Sequence, residues 1–78
     1  MALSVLQRVI NFTATLSGDS PANINAATVL LELPNITDMI NYMMELEDSF
    51  AIKYQTGDEN GIITVGNASD FITKKLGG

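Results

Sequence analysis

The chain has 78 residues, four Lys+Arg against nine Asp+Glu, a formal net charge of −5 at pH 7 and neither Cys nor His. A chain of this size forms one small domain, 1–78, whose thin core leaves little room for a large internal substrate cavity. Disulfides, thiolate zinc sites and histidine acid–base chemistry are excluded outright. No apolar run approaches the roughly 20 residues of a membrane span, and the first residues lack the pattern of a secretion signal, so a cytoplasmic protein is expected. The acidity and the scatter of the basic residues argue against nucleic acid as a partner.

Leu3, Leu6, Val9, Ile10 and Leu16 recur at helical spacing, with Gln7, Arg8 and Asn11 between them. They predict an amphipathic helix over about Leu3 to Leu16. Gly18 suits its end, in a turn-rich run from Ser17 to Pro21. A long loop to Pro34 follows, which Ile24, Val29, Leu31 and Leu33 are expected to pin on the core.

A second helix is predicted over about Ile36 to Phe50, with Asn35 capping its amides and Asp38 in its first turn. Ile36, Met39, Ile40, Met43, Leu46 and Phe50 would form its buried stripe. Asp38, Asn41, Glu45 and Asp48 fall on the opposite side. Gly57 to Gly61 reads as a turn or a single helical turn. The last helix, about Val65 to Lys75, would bury Ala68, Phe71 and Ile72, and it places Lys74 and Lys75 at its negative end before Gly77 and Gly78.

Two stretches carry a resemblance. Met39 to Ile52, containing Met44-Glu45-Leu46-Glu47, resembles the second helix and exit of acyl carrier proteins. Ile63-Thr64-Val65-Gly66-Asn67-Ala68-Ser69-Asp70-Phe71-Ile72 is similar to the opening of that family's last helix. The resemblance spans the whole chain and implies an all-α fold: a small right-handed four-helix bundle with helices I, II and IV long and III short. It also implies a role in fatty-acid or polyketide-type metabolism, as a carrier and not an enzyme.

Members of that family attach 4'-phosphopantetheine to the Ser of a D-S-L motif at the start of the second helix. Aligned without a gap, this chain offers Asn35, Ile36 and Thr37 there. Ile36 has no nucleophile to attack the pyrophosphate of coenzyme A. Neither Ser20, followed by Pro21, nor Ser49, at the far end of the helix, can substitute for it. No cofactor is therefore expected, and the chain reads as a partner-docking module that binds and does not carry. The alternative is a working carrier armed through Thr37, or one in which Ile36 replaces a native Ser.

From Val9 to Ile52 there is no Lys or Arg, while Asp19, Glu32, Asp38, Glu45, Glu47 and Asp48 all fall there. A solvated face explains such a run by itself. In the family, however, this face docks onto basic surfaces of synthase-type enzymes or of a phosphopantetheinyl transferase. Asp38, Glu45 and Asp48 are accordingly the candidate docking residues, on a protein expected to be a monomer. Met39, Met43, Met44 and Phe50 are candidates for an acyl pocket or, more simply, for core. Three Asn-x-Ser/Thr triplets, at Asn11, Asn35 and Asn67, match the glycosylation pattern only formally. No metal site is expected, because the run from Asp58 to Gly61 lacks the alternating ligands of a calcium loop.

Overall fold

The computed structural model describes residues 3–77, so positions 1, 2 and 78 lie outside the described residues. Ser4 opens the chain by accepting the amide of Gln7 at 3.1 Å. The first helix, α1, therefore runs Val5–Ser17 and leaves Leu3 exposed ahead of it. Gly18 ends α1 in the left-handed region, at φ 80°, and its amide returns to the Ala14 carbonyl, as its place in the sequence suggested. Val9, Ile10, Thr13, Ala14 and Ser17 form the buried side, and α1 packs along the last helix.

The long loop is ordered by hydrogen bonds as much as by packing. A 3₁₀ turn at Pro21–Asn23 is capped by the Ser20 hydroxyl, and Ile24 is buried beyond it. An isolated antiparallel bridge pairs Val29 with Thr64. Around it, the amide of Leu30 donates to the Ile63 carbonyl at 3.0 Å, that of Val65 to Thr28 at 3.0 Å and that of Gly66 to Ala26 at 2.8 Å. The loop carbonyls thus occupy the first two amides of the last helix, groups that no helix can satisfy internally. Leu30, fully buried in a second 3₁₀ turn, is the anchor. Leu31, expected in that role, is exposed, because the tight turn directs neighbouring side chains apart.

The second helix, α2, runs Met39–Phe50 and is capped by Asp38, whose Oδ1 accepts the Ile40 amide at 3.0 Å. It begins three residues later than expected, and Asn35 is not its cap. Asn35 adopts φ 67°, a conformation that Asn tolerates and that cannot continue into a helix. Met43, Leu46 and Phe50 are buried as predicted, but Tyr42 is also buried and Ile40 is 47% exposed. Tyr42 and Ile40 occupy the two shoulders of the apolar stripe. The core takes Tyr42 because Thr13 of α1 offers its hydroxyl a partner at 2.9 Å and Phe12 meets its ring edge-on at 5.6 Å.

Ala51 ends α2 at φ 55°, a left-handed position held by a residue with a Cβ. Ala51→Gly should stabilise the protein by about 0.5–1 kcal/mol, since relief of the left-handed strain outweighs the added freedom of the unfolded chain. Urea melts of the two proteins check this, and a lower midpoint for the glycine variant would refute it.

Asp58–Gly61 is a four-residue 3₁₀ turn. The fold is all-α, but its described residues contain three α-helices, not four. The short third helix of the expected bundle is replaced by this turn. The last helix, α3, runs Val65–Lys75 behind a capping box in which Thr64 and Asn67 satisfy each other's amides. Ala68 and Ile72 are fully buried, while Phe71 is only half-buried.

Candidate docking face and helix tip

The tip before α2 is built by three consecutive residues with three different tasks. Asn35 turns back, and its Nδ2 donates to the Ser17 carbonyl at 3.0 Å, in the last turn of α1. The side chain expected to cap α2 therefore caps the C-terminus of α1. Ile36 points inward and is 3% exposed within the main core cluster. Thr37 is exposed, one residue before the exposed cap Asp38. The position aligned with the family's attachment Ser is thus a buried hydrocarbon, and the nearest hydroxyl is the outward one at Thr37.

The methionines do not converge on one pocket. Met43 is fully buried, Met39 is half-buried against the core and Met44, about 100° further round α2, is 55% exposed. Phe50 is core, with Phe12 edge-on at 5.9 Å and the Arg8 guanidinium 4.9 Å above its ring. An open cleft of about 240 Å³ lies elsewhere, lined by Asp58, Gly61, Ile62, Asn67, Asp70, Phe71 and Lys74.

The outer face of α2 joins Asn41, Glu45 and Asp48, all exposed as expected, to two exposed apolar side chains that sequence reasoning had not placed there. Ile40 and Met44 stand one turn apart and form a ridge beside the carboxylates. Their four-residue spacing, one step out of phase with Met39 and Met43, was the available signal. Glu47, three residues after Met44 and seven after Ile40, flanks the same ridge but is half-buried. Its Oε2 accepts the Tyr54 amide at 2.8 Å and fastens the chain leaving α2.

Beyond it, the Tyr54 hydroxyl donates to Glu59 Oε1 at 2.7 Å, and the Gly57 amide donates to the same oxygen at 2.9 Å. The Tyr54 bond holds the Glu59 carboxyl below its ordinary 4.5. The same contact, helped by desolvation and by the neighbouring acidic charges, pushes the Tyr54 phenol up to about 12. Burial does the same for Tyr42. Glu59 therefore adds stability that is present above 4.5 and is lost as the pH falls through its lowered value in the folded chain. Both tyrosines add stability that is complete below 10.0 and lost as the pH rises toward about 12. Thermal melts across pH should show a plateau bounded by these two limbs. A melting temperature still flat through the alkaline limb would contradict the Tyr54 hydrogen bond and the burial of Tyr42.

The three glycosylation-like triplets have structural uses. Asn11 accepts from Gln7 at 3.0 Å within α1, Asn35 holds Ser17, and Asn67 caps α3. Among the described residues no three carboxylates gather closely enough to hold a metal ion, and no helix is long and apolar enough to cross a membrane. No protein-family model matches the chain, and no curated protein matches it either.

Proposed function

We propose that this chain is an acyl-carrier-protein-like docking module, cytoplasmic and without phosphopantetheine, that acts in fatty-acid or polyketide-type metabolism through protein contacts alone. It is not an enzyme in this reading. The observation that carries the proposal is the outer face of α2, where Ile40 and Met44 rise beside Glu45 and Asp48. A partner with a basic rim around a shallow apolar pocket complements both parts of that face: the charges steer the encounter and the ridge supplies buried area. The resemblance of residues 39–52 and 63–72 to acyl carrier proteins suggests the class of partner, a synthase-type enzyme or a phosphopantetheinyl transferase.

Binding to an immobilised phosphopantetheinyl transferase tests this reading. Affinity should fall roughly tenfold between low and moderately high salt, as expected for exposed charges within a screening length of about 8–10 Å. Reversing both Glu45 and Asp48 to Lys should weaken binding at low salt by about tenfold or more, and Met44→Ala should weaken it at every salt concentration. Affinity that is indifferent to both salt and charge reversal would remove the proposal.

The exposed hydroxyl of Thr37 favours one second reading, a working carrier armed at that residue. Intact mass after incubation with coenzyme A and the transferase separates the two. The docking reading expects no added arm, whereas a gain that Thr37→Val abolishes would establish the second.

A further inference from the structure

Seven asparagines occur in the chain, and Asn60 is the one followed by glycine. The others precede Phe12, Ile24, Ala26, Ile36, Tyr42 or Ala68, whose side chains crowd the next backbone nitrogen. Asn60 and Gly61 are both exposed at the end of the four-residue 3₁₀ turn. A Cβ built on Gly61 would meet no atom within 4 Å, so the space about that peptide is open. The turn starts at Gly57 with no side-chain cap, and a 3₁₀ turn of this length is held by few and poorly aligned bonds.

We infer that Asn60 is a site of spontaneous backbone rearrangement, at which the native protein converts an asparagine to isoaspartate with water as the only co-reactant. The deprotonated amide nitrogen of Gly61 attacks Cγ of Asn60. The new C–N bond closes a five-membered imide, and the side-chain nitrogen leaves as ammonia after taking up a proton. Water then opens the imide at either carbonyl, giving aspartate or, with the main chain rerouted through the side chain, isoaspartate. No oxidant or reductant is involved, and the glycine matters because it leaves the attack unhindered and the backbone free to rotate.

The consequence is local and chemical. Rerouting adds a methylene to the backbone between the bond from Asn60 to the Gly57 carbonyl, 3.1 Å, and that from Ile62 to the Glu59 carbonyl, 3.1 Å. The new carboxylate arises beside Gly61, which lines the cleft together with Asp58, Asp70 and Lys74. It adds like charge near Asp58, whose Oδ2 lies 4.0 Å from Lys75 Nζ. The turn beside the cleft thus becomes more acidic and looser with age, whatever the outer face of α2 binds.

The full chain, incubated folded at mildly alkaline pH and warm temperature, should gain the small mass of an NH2-to-OH exchange. Peptide mapping should place isoaspartate at position 60, and a protein isoaspartate methyltransferase should label it. Asn60→Gln should abolish the label. Gly61→Ala, for which the fold has room, should slow its appearance by about tenfold, because the methyl group hinders closure. Amide exchange of Ile62 should quicken in the aged protein. The inference is overturned if the folded chain keeps Asn60 intact while a urea-unfolded sample converts, or if Gly61→Ala rearranges as fast as the parent.

Discussion

Ile36→Ser is expected to lower the unfolding free energy by about 3–5 kcal/mol, combining the lost burial of a branched hydrocarbon with the cost of an inward hydroxyl. A domain of this size is held by roughly 4–12 kcal/mol in total, so the variant should melt on the order of 15–25 °C lower. The reason lies in the tip geometry: position 36 is 3% exposed, and helix α2 begins only at Met39. The new hydroxyl would face the buried core cluster rather than solvent, and incubation with coenzyme A and a transferase should leave the mass of Ile36→Ser unchanged. Ile36→Val, which keeps the shape, should cost only about 1 kcal/mol. A serine variant that melts like the parent would show that the side chain does not plug the core. One that accepts the arm would show that the tip reopens.

Gly66→Val should cost about 3 kcal/mol, near the upper end for forcing extra atoms into a packed site. A Cβ at Gly66 would come within 3.0 Å of the Ala26 carbonyl oxygen, a backbone atom that cannot swing aside as a side chain can. The same oxygen accepts the Gly66 amide at 2.8 Å, so relieving the clash stretches one of the bonds that hold the loop to α3. Hydrogen exchange at the Leu30 and Val65 amides should accelerate together, and proteases should cut first between residues 19 and 33. Unchanged protection at both amides would mean that the loop is held elsewhere. Gly66→Ala carries the same contact with less bulk and should fall between the two, because the helix propensity of Ala returns about 1 kcal/mol.

The helical periods, the glycine end of α1, the bounds of α3 and the exposure of Glu45 and Asp48 were legible because each rests on local spacing or capping chemistry. The tip was not. Asn35 reads equally as a cap for the helix after it or for the one before it, and only the approach of Ser17 from eighteen residues earlier decides between them. Asp38 reads as a first-turn acid until Asn35 is known to be left-handed. Tyr42 and Ile40 are ambiguous for a similar reason, since the choice between two shoulders of a stripe depends on the hydroxyl that α1 brings across. The clasp between the loop and α3 left almost no trace in the pattern. It is made of backbone groups, and the glycine at position 66, where a Cβ would crowd the Ala26 carbonyl, is its one sequence signature.

The bond from Asn35 to the end of α1 has a thermodynamic corollary for recognition. Asn35 grips Ser17 while the neighbouring Ile36 is sunk in the interior, so the threshold of α2 is clamped at two points before any partner arrives. If α2 docks as proposed, a rod fixed in this way has little internal ordering left to lose, and that part of the cost of association falls away.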